Sequence, residues 1–274
     1  MKSPSAWNAV TVMLAPKGMP GHRATRFTRH LRRADDVGAP LNARVSYLCS
    51  GDPAGLRIIF VHGTPGNAEG WAEYLLNPPP GVELMALDRP GFGHSGPAKA
   101  VTSLEQQGAA VAALLPTDGR RAVLVGHSLG GAVVAQVAAD QPQRVSAVVL
   151  IAAALDPSLE RLHWLQPWGN RWPLCALLPR ALRNANRELL VFEKELVRLR
   201  SRLGQISAPL AVVHGTQDSL VPHANMAYIQ RQFIGVREHY TRTLDGHDHF
   251  LPWNAQREVR DALTWATRAA GGTP

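Results

Sequence analysis

Short apolar runs of four to six residues recur along the chain from residue 44 onward. Those at residues 44–49, 57–61, 83–87, 122–125, 147–151, 209–214 and 239–244 are rich in Val, Ile and Leu and read as strands. Between several of them the apolar spacing changes to a helical period, over residues 104–115, 222–233 and 254–269, and Thr102-Ser103-Leu104-Glu105 offers a capping box before the first. Strands that alternate with helices and are apolar on both faces predict an α/β fold with a mostly parallel, doubly covered sheet.

Residues 156–205 break the alternation, because about 50 residues pass without a good strand. Within them Leu189, Phe192, Leu196, Leu199 and Leu203 step by three and four, giving a helix with one apolar stripe. This stretch reads as an inserted helical cap or lid. The core is then residues 41–155 and 206–274, preceded by an arm over 1–40. Trp164, Trp168 and Trp172 fall inside the insertion and are candidates to line a substrate pocket, or to glue the cap to the sheet.

Charge singles out the arm. Of a formal net +8, residues 1–50 hold +6, from Lys2, Lys17, Arg23, Arg26, Arg29, Arg32, Arg33 and Arg44 against Asp35 and Asp36. Ala24, Phe27 and Leu31 are spaced as on one helical face, so residues 22–33 are expected to form a short basic amphipathic helix able to make weak contact with an anionic membrane, or else a solvated arm. No nucleic-acid motif lies nearby. No apolar run reaches the roughly 20 residues needed to span a bilayer. Met1 is followed by no continuous apolar segment of the secretory kind, so a cytoplasmic location is expected, with peripheral membrane contact as the alternative. Cys49 and Cys175 share no metal or redox spacing and are expected to be reduced, buried thiols.

The chemistry begins at residues 122–138, where a β-type run leads into Gly126-His127-Ser128-Leu129-Gly130 and then a small-residue helical segment. That is a strand, a sharp turn and a helix with Ser128 at the apex. A serine hydroxyl is a weak nucleophile near neutral pH and needs a base to take its proton and a third group to orient that base. Downstream, Asp218 follows one predicted strand, and His247 and His249 follow the next, giving the order Ser, Asp, His. Either histidine can serve on spacing alone, and Asp156, after the strand ending at residue 151, is a second candidate acid.

Taken with His62-Gly63-Thr64-Pro65-Gly66 and Asp88-Arg89-Pro90-Gly91-Phe92-Gly93-His94-Ser95, these segments resemble the α/β-hydrolase superfamily over roughly residues 57–267. The resemblance implies a catalytic Ser128, Asp218 and His249, since Gly246-His247-Asp248-His249-Phe250 matches the family's Gly-x-x-His-Phe pattern. It leaves His247 and Asp156 as alternates. It implies an oxyanion hole from the amides of Thr64 and Leu129, Pro65 having no N–H to give. Members that open epoxides or remove halide carry an aspartate where this chain has Ser128. His62, His127, Asp88, Arg89 and His214 read as residues that fix loop shape. The expected activity is cleavage of a small, largely apolar carboxylic ester, with no metal or organic cofactor. A carbon–carbon hydrolase, a perhydrolase and a ligand-binding protein of the same fold remain open at this stage, as does the oligomeric state.

Overall fold

The computed structural model describes residues 25–30, 44–160 and 178–271. Eight strands form one sheet: β1 (Thr25–His30), β2 (Arg44–Gly51), β3 (Leu56–Val61), β4 (Val82–Leu87), β5 (Ala122–His127), β6 (Val145–Ile151), β7 (Leu210–Gly215) and β8 (His239–Leu244). Their spatial order is β1-β2-β4-β3-β5-β6-β7-β8, with β1 and β2 antiparallel to their neighbours and the rest parallel. The helices are α1 (Ala72–Leu75), α2 (Leu104–Ala112), α3 (Leu129–Asp140), α4 (Arg180–Leu203), α5 (Asn225–Gln232), α6 (Leu251–Asn254) and α7 (Gln256–Ala269).

The central strands read as unbroken apolar runs because each side of the sheet is buried. Ile59, Val61, Leu124, Val148, Leu150 and Val212 face a core made with α2, α3, α4 and α5. Their sequence neighbours Ile58, Phe60, Val125, Val149 and Val213 face a second core made with Trp71, α1, α6 and α7. With both faces closed, the polar chemistry is left to the loops at the strand ends, and in a parallel sheet functional groups gather at the carboxyl ends, beside the point where strand order reverses. Here that point lies between β3 and β5, with β4 on the far side of β3.

The sequence expectation of a basic amphipathic helix over residues 22–33 is corrected: Thr25–His30 is a strand paired antiparallel with β2, from Thr25 opposite Cys49 to His30 opposite Arg44. The rest of the arm lies outside the described residues, as does Cys175. Cys49 is half-buried, its Sγ 3.6 Å from Glu83 Oε1, and burial together with that carboxylate pushes its thiol up to about 12, which keeps it protonated and unreactive. The cap of α2 also sits one residue later than the motif predicts. Ser103 is the N-cap and its hydroxyl accepts from the Gln106 amide. Among the described residues no helix is long and apolar enough to cross a membrane.

Within the segment read as a cap, α4 is a single helix of 24 residues. Phe192, Leu196, Leu199 and Leu203 are buried in the α2–α5 side of the core, where α4 contacts α3, while Leu189 is half-buried. Truncating a fully buried leucine removes its transfer free energy and leaves a cavity, so Leu199→Ala is expected to cost about 2–5 kcal/mol. Urea unfolding would show this as a lower midpoint at unchanged slope.

Candidate active site

Ser128 sits between the last residue of β5 and the first of α3 with φ 57° and ψ −129°, a backbone conformation that L-residues avoid. The turn holds because three backbones meet there. A Cβ on Gly126 would come within 2.4 Å of the Gly130 carbonyl oxygen, and one on Gly130 within 2.4 Å of the Val61 oxygen, so only hydrogen fits at either position. The Ser128 amide donates to Ile151 of β6 at 3.0 Å and its carbonyl accepts from Gly131 and Ala154. The side chain is thereby pushed off the end of the sheet at the head of a helix. Leu129, first residue of α3, has no carbonyl one turn back for its N–H, and the helix dipole adds partial positive charge at the same spot.

Asp218 and His249 come from the loops after β7 and β8. His249 Nδ1 lies 2.7 Å from Asp218 Oδ2, and both side chains are buried. Asp218 Oδ1 accepts from the amides of Leu220 and Val221 at 2.9 and 2.7 Å, which fixes the carboxylate plane. Burial alone would raise the Asp218 pKa, but hydrogen bonds from His214, His249 and the Val221 amide outweigh it and hold the carboxyl well below the usual range. Three strand spacings separate β5 from β8, about 14 Å, so the last loop must lean back over the strand ends. His127 ties it there: its Nε2 donates to the His249 carbonyl at 3.0 Å, and the two rings lie 4.8 Å apart. Burial, and then His249 itself, push His127 down to about 3, so it remains a neutral donor.

The two alternates are engaged elsewhere. His247 is partly exposed, with Nδ1 3.0 Å from the Asp245 carbonyl. Asp156 caps a turn, accepting from the Ser158 amide and hydroxyl at 2.9 and 2.7 Å. Trp164, Trp168 and Trp172 lie outside the described residues. The loop after β3 runs beside Ser128: a Cβ on Gly63 would lie 2.8 Å from Ser128 Cβ and 3.3 Å from Oγ. The next residue, Thr64, has its hydroxyl bonded to Glu188 Oε2 of α4 at 2.6 Å. Among the described residues no cluster of three or more side chains suited to a metal is found.

Two further buried polar side chains support the site, one legible in the sequence and one not. Glu188, immediately before the apolar stripe of α4 begins at Leu189, reads in sequence as solvent-facing, yet it is buried. His214 reads in sequence as a loop-shaping residue and shapes the acid loop here: its Nε2 lies 3.3 Å from Asp218 Oδ2 and 3.0 Å from the Val221 carbonyl, so a second imidazole braces the acid. The signal for His214 was its position four residues before Asp218 at a strand end.

A family model described as the α/β hydrolase fold matches residues 57–205. Over 110 residues the chain is 40% identical to the dihydrolipoyllysine-residue acetyltransferase component of the acetoin cleaving system of Cupriavidus necator, covering 40% of this chain and 29% of that protein, so it spans under a third of that relative's length. It is 29% identical over 218 residues to a non-heme chloroperoxidase of Streptomyces lividans, covering 63% of this chain and 78% of the relative. Among solved structures, the haloalkane dehalogenase of Bradyrhizobium elkani shares the fold with a TM-score of 0.69 at 17% identity, over 90% of this chain and 99% of that one.

A carboxyl whose native pKa is depressed stabilises the fold above its unfolded value of about 4, and that contribution disappears as pH falls through the native value. Asp218→Asn keeps the shape and removes the charge. The stability gap between wild type and this variant, measured by urea unfolding, is therefore expected to be widest at neutral pH and to narrow steadily below pH 4. A gap of the same size at every pH would contradict the assignment of the charge to Asp218.

Proposed function

The chain belongs to the α/β-hydrolase family, and from that premise we propose that it is a serine hydrolase cleaving a carboxylic ester, or a related acyl bond, of a small and largely apolar substrate. The observation that carries this reading is the buried Asp218–His249 pair, 2.7 Å apart, in loops that leave the carboxyl ends of the parallel strands, as does the strained turn at Ser128. Relatives named as a lipase and as a methyl ester esterase are in keeping with it.

In the proposed reaction Ser128 Oγ attacks the carbonyl carbon while its proton passes to His249 Nε2. His249 is free to accept there because Nδ1–H is committed to Asp218. The carbonyl oxygen becomes an oxyanion and accepts from the Thr64 and Leu129 amides. Collapse of this intermediate breaks the bond to the alkoxy oxygen, which takes the proton from His249 and departs as the alcohol. Water then attacks the acyl-enzyme and gives its proton to the same imidazole. The second tetrahedral intermediate releases the acid and returns the proton to Ser128. The net change is ester plus water to acid plus alcohol. Asp218 stays ionised throughout, orienting the ring and stabilising its transient positive charge.

A fluorophosphonate probe is expected to label the wild type and not Ser128→Ala; a wild type that fails to label would favour a ligand-binding protein of the same fold. On a panel of p-nitrophenyl esters of graded chain length, His249→Ala is expected to lose about 10⁶-fold in kcat. His247→Ala should stay within about threefold of wild type, its ring lying outside the acid–imidazole pair. Near-wild-type turnover by His249→Ala would overturn the role given to that residue.

A further inference from the structure

Glu188 touches none of the reacting groups named above, yet its carboxylate accepts four hydrogen bonds from three residues. Oε1 accepts from Arg89 Nη1 at 2.8 Å and Gln107 Nε2 at 3.0 Å. Oε2 accepts from Arg89 Nη2 at 3.1 Å and the Thr64 hydroxyl at 2.6 Å. We propose that Glu188 is a positioning residue for the oxyanion site: acting through Arg89 and the Thr64 hydroxyl, it sets the direction of the Thr64 N–H. The proposal rests on the serine hydrolase reading and makes its oxyanion site depend on how α4 is seated.

The Gly63–Thr64 peptide is trans, so its C=O and N–H point to opposite sides. The Gly63 oxygen is held by two donors. The Arg89 backbone N–H donates to His62 Nε2 at 3.0 Å, which places the His62 proton on Nδ1, and Nδ1 lies 2.7 Å from the Gly63 oxygen. Arg89 Nη2 lies 3.0 Å from the same oxygen, and Arg89 Nε donates to the His62 carbonyl at 2.9 Å. With its oxygen clamped toward Arg89, the peptide turns the Thr64 N–H to the other side. Rotating it would leave two buried donors without an acceptor, which interiors avoid.

The clamp is as rigid as Arg89, and the Arg89 guanidinium is fully buried. A buried cation needs a partner, and among the described residues Glu188 is its one ion-pair partner. The planar guanidinium meets both carboxylate oxygens, which fixes orientation as well as distance. On the same helix, Asn184 donates to the carbonyls of Gly91 and Ala98 at 2.8 and 2.9 Å, and Glu195 accepts from the Leu104 amide at 2.9 Å. These contacts set the register of α4 against the loops that lead to the site. A pair serving only as structural glue needs no contact with the oxyanion loop; this one meets Thr64 directly and both preceding carbonyls through Arg89.

Glu188→Gln keeps the size and a carbonyl oxygen but loses the charge that holds Arg89. It is expected to lower kcat on p-nitrophenyl acetate by about 10- to 100-fold with KM within about threefold, less than outright loss of one oxyanion donor. The inhibition constant of a trifluoromethyl ketone, which adds to the serine as an oxyanion, should rise by the same factor. Should that variant fail to fold, Thr64→Val tests the direct contact: an approximately 3- to 10-fold fall in kcat, restored by Thr64→Ser, is expected from loss of a hydrogen bond to a charged group. Unchanged kcat and inhibitor binding in Glu188→Gln, or in Thr64→Val where only that folds, would overturn the proposal. Crystal structures give a readout blind to turnover: a rotated or doubly populated Gly63–Thr64 peptide in the variant supports it, and an unmoved peptide sinks it. An inactive wild type would defeat the hydrolase reading while the peptide still decides this one.

Discussion

The convergence of β3, β5 and α3 within backbone contact is the constraint on which the site rests. Gly126 and Gly130 allow those backbones to approach where a methyl group would collide with a carbonyl. A residue held in the conformation of Ser128 costs on the order of 1–3 kcal/mol. The cost is sustained because the amide and carbonyl of Ser128 are fixed by Ile151, Gly131 and Ala154, and relaxing the turn would break those bonds. The same closeness brings Gly63 against the serine side chain, so the loop after β3 and the serine are positioned by one packing event.

Sequence patterning made the central strands and the long helices legible because burial of both sheet faces leaves an unmistakable apolar record in β3 through β7. The bends at Ser128 and the order Ser, Asp, His were legible for a related reason: glycine at a tight crossing and polar residues just past an apolar run have few other uses. What stayed hidden depended on partners distant in sequence. The spacing of Ala24, Phe27 and Leu31 suits a helix, yet Thr25–His30 is a strand because β2 offers it a ladder. A helix that short has too little internal hydrogen bonding to compete. Glu188, Asn184 and Glu195 were invisible because periodicity ranks residues by hydropathy, and a buried polar face looks the same as a wet one until its partners are known.

Two buried acids in this chain illustrate different uses of charge. Asp218 faces two imidazoles and two amides, a setting that favours the carboxylate without demanding a fixed cation beside it. In the proposed reaction it can therefore welcome a proton arriving on His249. Glu188 is matched to a guanidinium that never releases its proton. Its field does not change during a reaction, so its value lies in geometry. Burying that pair carries a desolvation cost that an apolar pair would avoid, which makes the hydrogen bonds it directs at the loop after β3 the more telling part of its design.

The likeness to a haloalkane dehalogenase at a TM-score of 0.69 shows how little the scaffold alone says about the reaction. Where family members carry an aspartate in place of Ser128, the attacking group is already an anion and loses no proton as it attacks. A serine must lose one, and a carbonyl under attack must place a negative charge on its oxygen. An acid–imidazole pair can serve either chemistry, because water must be activated in both. The features that would commit this chain to acyl transfer are therefore the hydroxyl at residue 128 together with amide donors aimed at a carbonyl oxygen. Ser128 is a matter of sequence; the aim proposed for the Thr64 donor would be a matter of structure, resting on the contacts that run from Gly63 through Arg89 to a glutamate more than a hundred residues away on α4.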